Sequence, residues 1–357
     1  MSAKNSNKLA VWAVTEKGAD LAVKIIENLP DASCYLSANL KKRANTFTFN
    51  ALSIKLSEIF NEYNGHIFIM STGIVVRIIA PLIRHKTVDP AVVVADEIGR
   101  HVISLISGHI GGANALAVTV AKLTGAIPVI TTATDLNNVL AVDVIARKKN
   151  LFFENPDAIK HVNMAFLSGT NVFLYDSFGY FDDVIYSGCK QLVKIQNSDF
   201  CNIDHNIPSV FIDDKLIDLP SNSKVLVLRP GSLVAGMGCN RNTNAGEMKQ
   251  FLFEILDRYM LSLKSLTCIA TIDIKRDEKG LLSLVKDIDL EIKYFNKNEL
   301  SQVVNIKNPS SLVEKHIGVK SVCEAAAILA SKNGILIVPK HSTKNVTVAI
   351  ARIPFIS

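Results

Sequence analysis

Five consecutive residues, Ala91 to Ala95, carry only small or β-branched apolar side chains and stop at Asp96-Glu97. A run that short and that uniform does not make one face of an amphipathic helix, and it predicts a core strand. Similar runs recur at Leu9 to Val14, His66 to Met70, Val102 to Ile106 and Ile127 to Ile130. Helical patterns lie between them. Ala19 to Leu29 places Leu21, Ile25 and Leu29 on one face with Ala22 and Ile26 beside them; Ile74 to Ile83 reads as a short helix broken by Pro81; Ala115 to Leu123 is strongly apolar. Such alternation predicts a parallel-rich α/β domain, whose ligands sit beyond the carboxyl ends of the strands.

At 357 residues the chain is too long for one ordinary core, and domains of about 100–150 residues imply two or three. From Val139 to Arg229 the strands become loosely patterned and glycine-centred polar motifs grow scarce, while Arg229-Pro230-Gly231 reads as a boundary. A strand then restarts at Leu233 to Met237, and Gly236-Met237-Gly238-Cys239-Asn240-Arg241-Asn242 reads as a loop before a helix from about Ala245 to Met260. Asn244 and Glu247 have capping-box spacing. Later elements are a strand at Cys268 to Ile272, a helix at Ser321 to Ser331, and strands at Gly334 to Val338 and Val346 to Ala351. The expected fold class is α/β, with two α/β domains (1–140 and 230–357) flanking a smaller variable middle domain (141–229).

Composition narrows the function. A 48% hydrophobic, 20% charged chain belongs to a well-packed soluble protein. The net charge of +6 is scattered without long basic runs, so nucleic acid is not the expected partner, whereas a polyanionic small molecule suits it. No segment has the apolar length to cross a bilayer, and Met1 to Lys8 lacks a signal-peptide pattern, so a cytoplasmic protein is expected. The six cysteines are dispersed with no CxxC pair, which argues against structural zinc or an iron–sulfur cluster.

Ser107-Gly108-His109-Ile110-Gly111-Gly112-Ala113-Asn114 joins a strand to an apolar helix. Glycines at such a junction admit close backbone approach, and the helix N-terminus favours an anion. His109 and Asn114 add polar groups, although a tight structural turn would look the same. Asp89 and Asp96-Glu97 bracket the strand Ala91 to Ala95, placed to orient a histidine or activate water, or merely to cap and solvate. Arg77, Arg84, His85 and Lys86 form a cationic group around Pro81, and Thr131-Thr132-Ala133-Thr134-Asp135 offers hydroxyls and a carboxylate. Gly236-Met237-Gly238 lacks the third glycine of a dinucleotide fingerprint, Arg241 standing there; it reads better as an anion loop with Asn240 and Arg241 as donors. Asp273, Lys275 and Glu278, and Lys340 with His341, make further charged stretches. No GxSxG elbow and no P-loop are present.

These motifs resemble a known family. The run STGIVVRIIAPLIRHKTVDPAVVVADEIGRHVISLISGHIGGANALA, followed by VITTATD, is similar to the cobalamin biosynthesis G family, the cobalt-precorrin-5A hydrolases of the anaerobic vitamin B12 pathway. VAGMGCNRNTNAGE, TIDIKRDEKGLL, GVKSVCEAAAILAS and ILIVPKHSTKNVTVAIA support the resemblance independently, while Asp143 to Arg229 matches by position only. The resemblance implies a tetrapyrrole substrate carrying cobalt, whose ring-A δ-lactone is opened by water with loss of acetaldehyde. No protein-bound metal or cofactor is then expected. On that chemistry, His109 or one of Asp89, Asp96 and Glu97 would be the base, with the Gly111-Gly112 amides and Asn114 as oxyanion or carboxylate donors. Arg77 and Arg241 would clamp substrate arms. Lys86, Gly108, Thr132, Asp135, Gly236, Gly238 and Asn240 complete the expected contacts. The rival readings are a non-catalytic tetrapyrrole-binding or scaffold protein of the same pathway, a nicotinamide oxidoreductase and a precorrin methyltransferase. A homo-oligomer or transient contact with pathway enzymes fits the hydrolase as well.

Overall fold

The computed structural model describes residues 8–85, 88–133, 139–181, 189–200, 203–304, 306–309 and 321–355. Residues 3–145 form one compact unit and residues 146–357 another.

The first unit runs β1 (Leu9–Ala13), α1 (Glu16–Glu27), β2 (Ala32–Ser37), β3 (Thr46–Phe49), α2 (Leu52–Ile59), β4 (Gly65–Ile69), α3 (Thr72–Ile79), β5 (Ala91–Ala95), β6 (His101–Ile106), α4 (Ala113–Thr124) and β7 (Ile127–Val129). Its seven strands are ordered β3-β2-β1-β4-β5-β6-β7. Side chains alternate between the sheet faces, as the period of two demands. Val11 and Ala13 join α1 and α4 in one apolar layer, while Ala10 and Trp12 join α2 and α3 in the other. β2, β3 and α2 extend the sheet beyond the strand runs that stand out in the sequence. The helical run stops where Pro81 requires, α3 ending at Ile79 with Ala80 as its C-cap.

One local interaction sets the topology. The Asp96 carboxylate accepts the amides of Ile98, Arg100 and His101, at 3.1, 3.1 and 2.6 Å. The link from β5 to β6 is thereby wound into a tight turn, too short for a crossover helix, and β6 lies antiparallel to β5. Every other neighbouring pair in this sheet is parallel. The loop after β6 consequently lies at the opposite edge of the sheet from the loops after β1, β4 and β5.

Thr15 shows how the latter edge is held. Its hydroxyl oxygen accepts the Gly18 amide at 3.1 Å, capping α1, and its hydroxyl donates to Glu97 at 2.8 Å. Thr15→Ala should cost about 1 kcal/mol, the ordinary value of a lost N-cap. Urea denaturation checks this, and no change in the midpoint would mean that the cap contributes nothing.

The division between the units falls within α5 (Val142–Lys148). The second unit contains two sheets. β8 (Phe152–Phe153), α6 (Ile159–Leu167), β9 (Val172–Asp176), β10 (Leu192–Lys194), α7 (Asn197–Phe200), β11 (Ser209–Ile212) and β12 (Val225–Arg229) build a sheet of order β10-β9-β11-β12-β8. β13 (Leu233–Cys239), α8 (Ala245–Arg258), β14 (Leu266–Ile272), α9 (Lys279–Asp287), β15 (Glu291–Phe295), α10 (Lys297–Ser301), α11 (Val322–Ala330), β16 (Ile335–Ser342) and β17 (Val346–Arg352) build the other, ordered β15-β14-β13-β17-β16.

The point expected to part these two sheets is tied by buried charge. Arg229, 1% exposed, donates to Glu154 at 3.1 Å and to the carbonyls of Asp213 and Lys215. Asp214, wholly buried, accepts Ser232 Oγ at 2.8 Å and both Nε and Nη2 of Arg352 at 2.7 Å. Each buried charge is neutralised and hydrogen-bonded, as burial requires.

Two local readings change. The Asn244 side chain caps α8 by accepting the Gly246 amide and not that of Glu247, and the Glu247 carboxylate accepts Asn345 Nδ2 at 3.1 Å and not the Asn244 amide. The reciprocal box occurs instead at Asn296 and Glu299 on α10. Gly236-Met237-Gly238 is likewise not a loop: it is β13, paired with Ala349, Val348 and Thr347 of β17.

Candidate active site

The loop from Ser107 to Gly112 folds tightly on itself. Its closing bonds run from the Ala113 amide to Ser107 O and from the Asn114 amide to Gly108 O, both 3.0 Å. A Cβ at Gly111 would stand 2.2 Å from Ser107 Cβ, and one at Gly108 would stand 2.7 Å from Asn114 Oδ1. These two glycines are therefore required by the loop's own packing. Gly112, at φ 87°, starts α4 from the left-handed region with no side-chain cap. The amides of Gly108, Ile110, Gly111 and Gly112 make no hydrogen bond to a described residue. What the loop presents is a group of amide donors at the N-terminus of a twelve-residue helix.

Asn114 is the strut of this loop. Its Oδ1 accepts Ser104 Oγ at 2.6 Å and its Nδ2 donates to Thr132 Oγ1 at 2.8 Å, which joins α4, β6 and the segment after β7. His109 Nδ1 lies 3.2 Å from Asp143 Oδ2, with the two side chains 13% and 5% exposed. With Nδ1–H directed to a carboxylate, the imidazole is held in orientation. Asp143 was not among the residues singled out in the sequence. Its signal was a carboxylate in the otherwise apolar start of α5, but the pairing spans 34 positions, which no local pattern shows.

Asp96 and Glu97 are not part of this constellation. They lie at the other edge of the sheet, in a cavity of about 590 Å³ shared with Val14, Thr15, Ser71, Thr72 and His101. Burial opposes ionisation of Asp96, yet its bonds from the Arg100, His101 and Ile98 amides prevail and hold the carboxyl below its ordinary value. A lowered carboxyl is a poor proton acceptor, and this one builds the β5–β6 turn. This cavity sits outside the carboxyl ends of β1 and β4, where the strand order reverses. Ser71 and Thr72, which line it at the start of α3, were quoted in the sequence only as part of a motif.

The remaining residues scatter. Asp89 precedes β5 and both its oxygens accept the Arg84 amide, at 3.0 and 3.1 Å, so it fastens a loop. Arg77 is exposed on α3, donating to Gly73 O of its own helix at 3.1 Å. Lys86 and Asp135 lie outside the described residues. In the second unit, Gly236 faces α11, where its Cβ would meet Cys323 O at 1.8 Å, and it serves helix–strand packing. Gly238 lines a separate cavity, and Asn240 is bonded to Asn345 at its turn. Arg241 is engaged by Asp277 and by Ile274 O, with Glu278 at 3.7 Å. Among the described residues no three His, Cys, Asp or Glu side chains gather as a metal site, and no helix is long and apolar enough to cross a membrane.

The chain is thus a three-sheet α/β protein with a histidine–aspartate pair beside an amide-rich helix N-terminus. Three family models match it in order: cobalamin synthesis G N-terminal over residues 55–135, cobalamin biosynthesis central region over 140–230 and cobalamin synthesis G C-terminus over 233–351. It belongs to the cobalamin synthesis G family. It is 32% identical over 356 residues to the cobalt-precorrin-5A hydrolase of Priestia megaterium, covering 97% of this chain and 95% of that one. With the cobalt-precorrin-5A hydrolase of Salmonella typhimurium it shares 33% over 337 residues, 94% of this chain and 95% of the relative. The solved structure of a cobalamin biosynthesis protein G homolog from Sulfolobus solfataricus is 20% identical, covers 98% of both chains and superposes with a TM-score of 0.39.

Proposed function

We propose that this chain is a cobalt-precorrin-5A hydrolase, opening the ring-A δ-lactone of its cobalt-bearing tetrapyrrole with release of acetaldehyde to give cobalt-precorrin-5B. The observation that carries this reading is the near-full-length likeness to two hydrolases of that name, which spans all three parts of the chain. Cobalt arrives with the substrate, and no other cofactor is needed.

The loop after β6 supplies what lactone hydrolysis requires. A water approaches the lactone carbonyl, and His109 Nε2 accepts its proton while Asp143 holds the ring and stabilises the imidazolium. The negative charge that develops on the carbonyl oxygen is met by the Gly111 and Gly112 amides and the α4 N-terminus. The acyl C–O bond then breaks, giving the carboxylate of the acetate arm. The freed oxygen on C20 collapses to a carbonyl, and C20 departs with its methyl as acetaldehyde, its bonding pair remaining on the macrocycle. The imidazolium gives the water's proton to the macrocycle, which holds that pair, and the new carboxylic acid releases its own proton to solvent. Asn114 and Thr132 act by positioning this loop. The net positive charge of +6 favours capture of a substrate rich in carboxylate arms.

Anaerobic incubation with cobalt-precorrin-5A tests the assignment. One acetaldehyde should appear per lactone opened, together with cobalt-precorrin-5B. Substrate binding without acetaldehyde would instead make the protein a docking factor.

A further inference from the structure

The second unit holds a basic cavity that the reading of the sequence did not assemble. It measures about 210 Å³ and opens at the carboxyl ends of β13 and β14. Lys275, Lys340 and Lys344 line it, drawn from the turn after β14, from β16 and from the β16–β17 turn. Lys275 is 12% exposed and has Glu278 as a partner at 3.7 Å, outside hydrogen-bond reach. The Lys340 and Lys344 side chains make no hydrogen bond or ion pair with any described residue. Glu324, buried behind Lys340, is satisfied by the amides of Lys307, Asn308 and Lys340 and by Asn308 Nδ2. It therefore faces the backbone and leaves the Lys340 and Lys344 ammonium groups unmatched.

Two further features favour an anion here. Val322 and Cys323, in the first turn of the nine-residue α11, line the cavity, and the Ser321 side chain does not cap that helix. The first amides and the positive end of the helix dipole are left to whatever occupies the space. The two thiols that line the wall, Cys239 and Cys323, are pushed up by burial and stay neutral, so they add no competing negative charge. The volume is below the roughly 300 Å³ at which pockets begin to hold whole drug-sized ligands. It suits one or two short carboxylate arms, not a macrocycle.

We propose that this cavity is a carboxylate subsite, in which Lys275, Lys340 and Lys344 with the N-terminus of α11 hold an acetate or propionate arm of the tetrapyrrole. The identity of the arm rests on the hydrolase reading; the anion site itself does not. The recognition groups are those three ammonium ions, in place of Arg241, which is already engaged by Asp277.

The test separates the two. Citrate, a compact polycarboxylate, should raise the melting temperature of the full-length protein, and the Lys340→Ala/Lys344→Ala variant should lose that rise. In the acetaldehyde assay the same variant should raise KM by about tenfold per lysine, the worth of a charge-assisted contact, with the loss on KM and not on kcat. Lys340→Gln/Lys344→Gln, which keeps the stems, should behave alike and guards against a packing effect. Equal citrate stabilisation in the unchanged and substituted proteins would overturn the anion site whether or not acetaldehyde is formed. Lost citrate binding with KM within twofold of the unchanged protein would overturn the tetrapyrrole arm as its occupant.

Discussion

Substituting His109 by alanine should lower the rate of acetaldehyde release by about two to four orders of magnitude, the usual contribution of a positioned general base. The loss should fall on kcat as well as kcat/KM, because proton transfer belongs to the transition state. Asp143→Asn should follow in the same direction: the amide keeps the shape but no longer stabilises the imidazolium 3.2 Å away. The double variant should then be scarcely worse than His109→Ala, since the two side chains act as one unit. Glu97→Gln is the informative contrast. Glu97 lies across the sheet and accepts a hydrogen bond from Thr15. If it were the base, its substitution would abolish turnover while His109→Ala would leave it standing, and single-turnover kinetics on the three variants would show that reversal.

A second large effect is expected in the second unit. Gly236→Ala should destabilise the second unit by at least about 3 kcal/mol, because a methyl there meets a backbone carbonyl and not a movable side chain. The clash is with Cys323 O at 1.8 Å, and the amide nitrogen of Ala327 stands only 2.9 Å from the same point. α11 would have to be lifted from β13, opening the apolar layer of Val234, Cys268, Ala270, Ala325 and Ala326. Gly238→Ala should be milder, as its methyl meets the end of the Thr347 side chain at 2.6 Å, which can rotate. Urea or thermal unfolding of the two variants ranks them, and a Gly236→Ala protein as stable as the unchanged chain would refute the packing role.

Much of the fold was legible because hydrophobic runs are local. The strands β1, β4, β5, β6 and β7 all follow from short apolar stretches, and α1 follows from its periodic face. β2 and β3 escaped the same reading for physical reasons. β2 interleaves Ser33 and Ser37 with its apolar residues, and β3 is an edge strand whose Phe47 is 57% exposed. The glycines of β13 look like a loop because glycine is poor strand material. Their cause is a helix almost ninety positions later, which no window of sequence reveals.

The candidate site was legible in part, and the division has one cause. His109, Asn114, Thr132 and the loop glycines come together, as neighbours in sequence and along adjacent strands tend to do. Asp89, Asp96 and Glu97 were grouped with them because all flank the same strand; Asp89, at the near end, is spent on the Arg84 amide, while Asp96 and Glu97 stand at the other. Five residues of strand, however, separate the two ends by about 17 Å. The carboxylate that reaches His109 is Asp143, delivered by a helix turn on the far side of β7. Ion pairs of this kind are products of tertiary folding, and single-sequence reading has no access to them.

The reversal of β6 has a wider consequence. In an all-parallel sheet every functional loop gathers on one rim, so altering any of them risks the others. Here a five-residue turn, fixed by one aspartate, gives the first unit two working rims. The loops after β1, β4 and β5 can diverge in length and chemistry while the His109 loop stays as it is. A lineage adapting to a differently decorated macrocycle has, in this arrangement, one rim to remodel and another to leave alone.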